Sequence, residues 1–474
     1  ILIDNQKMNK NNELIYSTKL SEGNHTLEIK YYTSEDYAKP NLYWNNENIN
    51  SEIIPEENLI FVSGGSKKIE QVKMRSFSSS EFSTLSTTYP SGTWYYYPPL
   101  TSNKRPVLLV HGWGNDPATS NGWGSMPGNL EDDGLEMLEL VYNPANLGNK
   151  KNAGMFYSIM SDIRQYYPSF TKIDVVAYSM GTLVTRGYIQ NLGISQDGNP
   201  RYYQNDIRKL ILIAGPMYGT YRVNQINDIY NFPFVCDALL GGLNQVSEAT
   251  KDMELGSDFT WELNNQQPNM NIDYLAIAGF EDFPVCLYNY NQIEDGLVPV
   301  FSSNLLKYSL PLITLERPHT NYLFVKGIQD NYQTEGIIDD FINNRGTNAI
   351  KENLDFSGES YIDPDDPNAN QPFYQNKGSV ILSFTNKDSI TEAKLYKSPT
   401  WYPLTKNSRT KKWFYLDWGG FNQYSNEITI GTYDIYYNDG SGLKDSEQNA
   451  PIEKDAVSFI TINNILDSDG DGIH

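Results

Sequence analysis

Cysteine, histidine and long hydrophobic runs are scarce in this chain of 474 residues. The four histidines are too few and too scattered for a metal cluster, and no H-E-x-x-H motif occurs. Two cysteines exclude a disulfide scaffold and an all-cysteine zinc site. Cys236 and Cys286 would form one disulfide in a secreted protein; the alternative is two unpaired core thiols. The best apolar runs, Val107–Val110 and Leu210–Ala214, are strand-sized and far shorter than the roughly 18 residues of a membrane span.

Basic residues are also in deficit, because 36 lysines and arginines stand against 58 aspartates and glutamates, giving a formal net charge of −22. So acidic a chain is a poor electrostatic partner for nucleic acid or for an anionic membrane surface. The chain opens with Ile1-Leu2-Ile3, without an initiator methionine or a signal peptide. We therefore expect a processed or truncated piece of a longer protein.

The character of the sequence changes several times, and its length predicts about three domains. The segments are short strands with polar turns at 1–62, a Ser/Thr/Pro linker at 63–100, alternating strands and helices at 101–345, strands again at 351–466, and an acidic tail at 467–474. Regularly spaced strands with Gly, Asn and Pro turns between them predict a β-sandwich for 351–466.

The segment 101–345 has the pattern of an α/β domain. Short apolar runs indicate strands at Val107–Val110, Leu138–Tyr142, Ile173–Ala177, Leu210–Ala214, Tyr274–Ala278 and Leu312–Leu315. Helical spacing or position indicates helices at Asn152–Tyr167 and Gly181–Gln190. Strands that alternate with helices predict right-handed crossovers and a mostly parallel sheet that is covered on both faces.

The strongest chemical signal is the motif Ala177-Tyr178-Ser179-Met180-Gly181 between a predicted strand and a predicted helix. A tight turn at this point holds a serine in a strained conformation and lifts its hydroxyl clear of the sheet. Small residues two before and two after the serine let neighbouring backbone approach. The motif therefore predicts Ser179 as a nucleophile.

A serine nucleophile needs a base and a carboxylate. His25 lies in the appended β segment, His474 is terminal, and His111 ends the first strong strand, so elimination leaves His319, just after the last predicted strand. Asp295 is the first candidate for the carboxylate that orients the imidazole, although an Asp-Gly turn is its structural alternative. Asp282, closer to the end of a predicted strand, is the main rival.

Attack on an ester places negative charge on the carbonyl oxygen, and two backbone N–H groups should face that charge. One is expected from Met180, which directly follows the nucleophile at a helix N-terminus. The other is expected from Trp113, which follows His111-Gly112.

These motifs, in this order, resemble those of the α/β-hydrolase fold and, within it, of secreted bacterial lipases and esterases. The matching features are His111-Gly112-Trp113-Gly114, Ala177-x-Ser179-x-Gly181 with alanine in place of the first glycine, Asp295-Gly296-x-Val298-Pro299, and His319. The resemblance covers about residues 103–345. It implies a serine carboxylic-ester hydrolase that acts on an ester or lipid and requires no cofactor.

An apolar stretch around 216–270 would form a lid or cap that contacts acyl chains, or else ordinary helix-packing surface. Its apolar residues are Tyr218, Tyr221, Ile226, Ile229, Tyr230, Phe232, Phe234, Leu239, Leu240 and Leu243. Within it, Met253-Glu254-Leu255-Gly256-Ser257 resembles a helical stretch of the same lipases and of lecithin:cholesterol acyltransferase-like enzymes.

The flanks carry two further resemblances. The patterns Gly23-Asn24-His25, Pro40–Trp44 and Ile54–Leu59 resemble the closing third of a PA14-type β-sandwich, which makes 1–62 a partial β-sandwich fragment without transferable binding residues. At the other end, Asp467, Asp469 and Asp471 resemble the start of a calcium loop, with an acidic solvated tail as the favoured alternative. The flanking β-modules and the acidic balance predict a secreted or cell-surface protein, with cell-surface or carbohydrate contact through those modules.

Two alternatives to an ester hydrolase follow from the same features. The flanking modules also suit a surface binding or adhesion protein whose hydrolase fold is non-catalytic. A triad that passes the acyl group to an alcohol would make an acyltransferase.

Overall fold

The computed structural model describes side chains in twelve ranges of the chain. They are 103–113, 123–124, 126–140, 147–195, 197–224, 247–281, 294–319, 326–355, 359–363, 377–416, 428–453 and 457–464. Elsewhere it describes only the backbone of the helix and strand residues named below. The chain divides into two compact units, Ile1–Thr84 and Leu85–His474.

The first unit contains short antiparallel strands. They are β1 (Leu2–Ile3), β2 (Gln6–Lys7), β3 (Leu27–Glu28), β4 (Tyr43–Asn46) and β5 (Ile49–Ile53). β1 pairs with β2 and β3, and β4 pairs with β5. The PA14 resemblance of this unit stays a prediction.

The second unit is built on an eight-stranded sheet. Its strands are β6 (Gly92–Tyr96), β7 (Pro106–Val110), β8 (Glu136–Tyr142), β9 (Ile173–Tyr178), β10 (Ile207–Ile213), β11 (Asp273–Gly279), β12 (Leu312–Leu315) and β13 (Ser360–Ile362). The order is β13-β12-β11-β10-β9-β7-β8-β6, with six parallel strands in the middle and an antiparallel strand at each edge. The predicted mostly parallel sheet is confirmed.

Edge strand β6 lies inside the segment 63–100, whose composition predicts a linker. Its sequence, Gly-Thr-Trp-Tyr-Tyr, carries aromatic residues of high strand propensity. Serine, threonine and proline dominate the average composition of the whole segment and obscure this short run. The predicted linker therefore includes a strand of the central sheet.

Helices cover both faces of the sheet. They are α1 (Met126–Asp132), α2 (Asn149–Tyr166), α3 (Met180–Ile189), α4 (Tyr221–Asp228), α5 (Glu248–Asp252), α6 (Asp258–Asn264), α7 (Tyr332–Ile342) and α8 (Gly346–Glu352). Alternate residues of β7 enter opposite cores: Leu108 and Val110 pack with α2, α3 and α6, whereas Val107 and Leu109 pack with α1, α7 and α8. This two-sided burial explains why the strands are continuous apolar runs.

The C-terminal strands form one mainly antiparallel sheet and one separate antiparallel pair. They are β14 (Lys377–Phe384), β15 (Glu392–Lys397), β16 (Thr400–Lys406), β17 (Trp413–Tyr415), β18 (Asp417–Trp418), β19 (Tyr424–Ser425), β20 (Ile428–Thr429), β21 (Gly431–Asn438), β22 (Leu443–Ile452) and β23 (Val457–Ile462). β14 is the second strand of the path β20-β14-β17-β16-β15-β21-β22 and also pairs in parallel with β23, whereas β18 and β19 pair with each other. These strands bury a hydrophobic core of their own. The sandwich arrangement stays a prediction.

This C-terminal region is docked on the α/β core by hydrogen bonds and ion pairs. Asn407 Nδ2 donates to Glu254 Oε2 at 3.1 Å and to the Leu255 carbonyl at 2.9 Å. Arg409 forms an ion pair with the same Glu254 carboxylate, which is fully buried. Because a buried carboxylate is stable only with such partners, the residues 407–409 are part of the packing of the core.

Candidate active site

Ser179 is the single residue between β9, which ends at Tyr178, and α3, which begins at Met180. Its φ of 52° and ψ of −125° are unfavourable for a residue with a side chain. The turn is held on both sides, because Ser179 N donates to the Ile213 carbonyl at 2.8 Å and Thr182 Oγ1 donates to the Ser179 carbonyl at 2.7 Å. The hydroxyl is thereby held at the carboxyl edge of the parallel sheet.

Two glycines allow the backbone to close around this turn. A Cβ atom on Gly181 would lie 2.4 Å from the Val110 carbonyl oxygen and 2.7 Å from that of His111. A Cβ atom on Gly112 would lie 2.9 Å from the Ser179 Cβ atom. The end of β7 therefore packs directly against the serine turn, as the small residues of the motif predict.

His319 lies in the loop after β12, where its imidazole bridges two side chains. Nε2 is 2.9 Å from Ser179 Oγ, and Nδ1 is 2.7 Å from Asp295 Oδ2. The His319 backbone N–H also donates to the Asp295 carbonyl at 2.8 Å. The structure thus brings the three residues selected from the sequence into one hydrogen-bonded chain, although 140 residues separate the serine from the histidine.

Asp295 is completely buried, and its other carboxylate oxygen is also occupied. Oδ1 accepts hydrogen bonds from the backbone N–H groups of Leu297 at 3.0 Å and Val298 at 2.8 Å. One carboxylate oxygen is therefore held by the turn and the other is directed at the imidazole. The rival candidate Asp282 lies outside the described residues.

A neighbouring carboxylate, Glu294, was not found from the sequence. It is fully buried, accepts a hydrogen bond from Tyr221 Oη at 2.8 Å, and forms an ion pair with Arg222. Thr220 Oγ1 donates to the Leu297 carbonyl at 2.7 Å, so the segment 220–222 supports the Asp295 turn from both sides. The sequence contains no local signal for these contacts, because 72 residues separate Arg222 from Glu294.

The two residues predicted to supply oxyanion donors lie at the expected elements. Met180 is the first residue of α3, and the first N–H groups of a helix have no intrahelical acceptor. Trp113 follows the end of β7 and packs, partly buried, against the core. His111 is buried beside them, and its Nδ1 atom is 2.6 Å from the Gly112 carbonyl oxygen. Burial lowers the pKa of His111 to about 4, so its imidazole is neutral at pH 7.

Tyr178, the residue before the nucleophile, contacts the histidine loop. Its hydroxyl donates to the His319 carbonyl at 2.6 Å, and its ring centroid is 5.1 Å from that of the imidazole. Trp123 packs edge-on against the other side of the tyrosine, with ring centroids 5.9 Å apart. Tyr178 occupies a variable position of the predicted motif, so the sequence pattern gives no signal for this contact.

We expect the Tyr178→Phe variant to lose about fivefold in kcat for ester substrates while KM is unchanged, because one hydrogen bond is worth roughly 1 kcal/mol. The bond positions His319 and not the substrate, so the loss should appear in the chemical step. Tyr188→Phe is the matched control, because its hydroxyl bonds to Asp206, away from the triad. Steady-state kinetics in which both variants behave alike would contradict this role.

The apolar stretch around 216–270 contributes to the core of the second unit. Tyr218 and Tyr221 are buried in the same core as Phe259 and Leu263 of α6. These two tyrosines are therefore part of the packing of the core, and the lid stays a prediction. The side chains of the other listed apolar residues, from Ile226 to Leu243, lie outside the described residues.

The predictions about the two cysteines and the acidic tail concern residues that the structure does not describe. Cys236, Cys286 and the acidic residues Asp467, Asp469 and Asp471 lie outside the described residues. Within the described ranges, no group of three or more His, Cys, Asp or Glu side chains is arranged to hold a metal ion. None of the described helices has the length and apolarity required to span a membrane.

Parts of this chain are similar to known proteins. The family model "Lipase (class 2)" matches residues 104–293. The phospholipase PlaB from Legionella pneumophila is 12% identical with a TM-score of 0.51, and the match covers 75% of this chain and 93% of that one. A lipase from Bacillus licheniformis, BlEst2 in mature form, is 18% identical with a TM-score of 0.37, covering 45% and 85%. No curated protein matches the sequence. The core of the second unit has the α/β-hydrolase fold.

Proposed function

We propose that this protein is a serine carboxylic-ester hydrolase of the lipase or esterase type, with Ser179 as nucleophile, His319 as general base and Asp295 as the orienting acid. The observation that carries this proposal is the unbroken chain of short contacts, 2.9 Å from Ser179 Oγ to His319 Nε2 and 2.7 Å from Nδ1 to Asp295. Such contacts permit direct proton transfer between nucleophile and base.

The reaction follows from these positions. His319 Nε2 accepts the proton of Ser179 as Oγ bonds to the ester carbonyl carbon, and the imidazolium then gives that proton to the leaving alcohol. The acyl group remains on Oγ until water, deprotonated by the same nitrogen, releases the carboxylic acid. Asp295 stabilises the imidazolium that forms in both steps. Negative charge on the carbonyl oxygen would be met by the N–H groups of Met180 and Trp113. No step requires a cofactor.

The class of substrate rests on the family match. Because the lipase model covers residues 104–293, which include Ser179 but neither Asp295 nor His319, it supports an ester or lipid substrate independently of the triad geometry. Secretion or attachment at the cell surface is part of the same proposal, since extracellular lipids are the substrates that such an acidic chain with flanking β-modules would meet.

The test is covalent labelling combined with a series of p-nitrophenyl esters from short to long acyl chains. We expect wild type to be labelled by a fluorophosphonate probe and to release p-nitrophenol in a burst, because an acyl-enzyme accumulates. The Ser179→Ala variant should show neither labelling nor a burst. Ser303→Ala is its matched control and should behave like wild type, because Ser303 is a buried serine whose hydroxyl has no hydrogen-bond partner. The acyl length with the highest kcat/KM would distinguish an esterase from a lipase.

The alternative functions predict different results in the same assay. A folded wild-type protein that the probe does not label would favour a non-catalytic binding protein. Labelled protein that forms a new ester when a free alcohol is added, in preference to free acid, would indicate an acyltransferase.

A further inference from the structure

Arg186 is a buried arginine without an acidic partner. It lies on α3, two helical turns beyond Ser179, and only 1% of its surface is exposed. Nη2 donates to Asn264 Oδ1 at 3.2 Å, whereas Nη1 has no hydrogen-bond partner. No ion pair joins Arg186 to any described residue. A guanidinium remains charged even when it is buried, and an uncompensated buried charge is strongly destabilising.

A second cation lies in the same region. Lys307 Nζ is 5.0 Å from the ring centroid of Tyr308 and 5.2 Å from that of Phe459. Burial, and then the positive charge of Arg186, lowers the pKa of Lys307 to about 8. The exposed Glu453 is the acidic group that acts on this lysine. Two positive charges therefore share a region lined by aromatic rings.

Around Arg186 and Lys307, some polar groups form hydrogen bonds and others have no partner. Tyr308 Oη donates to the Asn264 carbonyl at 3.1 Å, so Asn264 joins Tyr308 to Arg186. Tyr218 is completely buried and its hydroxyl has no partner, although its ring centroid is 5.8 Å from Lys307 Nζ. Burial of a hydroxyl without a hydrogen-bond partner costs free energy of folding. The Tyr218 hydroxyl and Arg186 Nη1 are thus two buried donors that lack an acceptor.

We propose that Arg186, Lys307 and Tyr218 form an internal binding site for a small monovalent anion, with chloride as its occupant. The anion would accept hydrogen bonds from Arg186 Nη1 and Tyr218 Oη and would neutralise one of the two positive charges. A water molecule can accept these bonds but cannot compensate the charge. A phosphate or sulfate would need more donors than these two groups supply. This inference does not rest on the proposed enzymatic function.

The experiment measures thermal unfolding of the whole chain at pH 7 in sodium chloride and in sodium gluconate at equal ionic strength. Gluconate is too large for an enclosed site. We expect chloride to raise the Tm of wild type saturably, by about 3 °C or more over gluconate, because a ligand that binds only the folded state stabilises it. Arg186→Met should abolish this difference, and Tyr218→Phe should at least halve it.

Tyr188→Phe is the control for loss of a buried tyrosine hydroxyl. Its hydroxyl already bonds to Asp206, so this variant should lower Tm equally in both salts and leave the chloride effect unchanged. If Arg186→Met does not fold, the Tyr218→Phe variant provides the test of the anion site. This variant should fold, because it keeps the ring that contacts Phe459.

Three results would overturn the proposal. Wild-type Tm values that coincide in chloride and gluconate would mean that water alone occupies the site. A chloride effect that persists unchanged in Tyr218→Phe would place the anion elsewhere. Crystals grown in sodium bromide provide the direct test, since an anomalous bromine peak is expected within hydrogen-bond distance of Arg186 Nη1, and its absence there would exclude the site.

Discussion

Replacement of Ser179 by alanine is expected to lower kcat for p-nitrophenyl ester hydrolysis about 10⁶-fold, the loss typical of removing a serine nucleophile. The reason is geometric. Ser179 Oγ is held by a strained turn at 2.9 Å from the imidazole, and the described residues place no second hydroxyl in hydrogen-bond contact with His319 Nε2. Residual hydrolysis would then come from water and the oxyanion donors alone.

The fold of the Ser179→Ala variant is expected to be unchanged, because the substitution removes one oxygen atom and leaves the surrounding packing intact. Circular dichroism and Tm verify this before the kinetics are compared. Since the triad acts as a unit, Ser179→Ala combined with His319→Ala should be no slower than Ser179→Ala alone. Hydrolysis by Ser179→Ala at the wild-type rate over the whole ester series would refute the proposed nucleophile.

Replacement of Asp295 by asparagine is expected to lower kcat about 10⁴-fold, with little change in the fold. The N–H groups of Leu297 and Val298 both donate to Asp295 Oδ1, so the amide oxygen of the variant would take that position. Its NH₂ group would then face His319 Nδ1 and donate to it. The imidazole proton would move to Nε2, which could no longer accept the proton of Ser179.

Asp282→Asn is the matched control, because it makes the same substitution at the rival position. Stopped-flow or steady-state kinetics on one p-nitrophenyl ester measure both variants. We expect Asp282→Asn to retain wild-type kcat. A large loss in Asp282→Asn together with normal activity in Asp295→Asn would assign the orienting role to the other carboxylate.

Local sequence information predicted the central part of the fold well. The apolar strand runs and the helical spacing in 101–345 predicted an α/β core with a mostly parallel sheet, and the strand at Leu312–Leu315 has the predicted bounds. The same information missed β6, because its five residues lie in a segment whose average composition is that of a linker. Helices α4, α5 and α6 are not predicted one by one, since the stretch around 216–270 is interpreted as a lid or a packing surface, and within it only Met253–Ser257 resembles a helical stretch.

The sequence alone determined which residues were available for chemistry. A serine between a buried strand and a helix, and a histidine left after three others were eliminated, depend on residue type and local order. Those properties are visible along the chain. It also restricted the carboxylate to two aspartates without deciding between them.

The contacts that connect these residues depend on the three-dimensional fold. The hydrogen bond from Tyr178 to the His319 carbonyl spans 141 residues, and the bond from Arg222 to Glu294 spans 72. Such partners are selected by the three-dimensional packing of sheet edges and loops, which leaves no periodic pattern in the sequence. The isolation of Arg186 has the same origin, since the presence or absence of a counter-ion depends on every element packed around a side chain. Residue types set the possible chemistry, and long-range packing decided which groups meet.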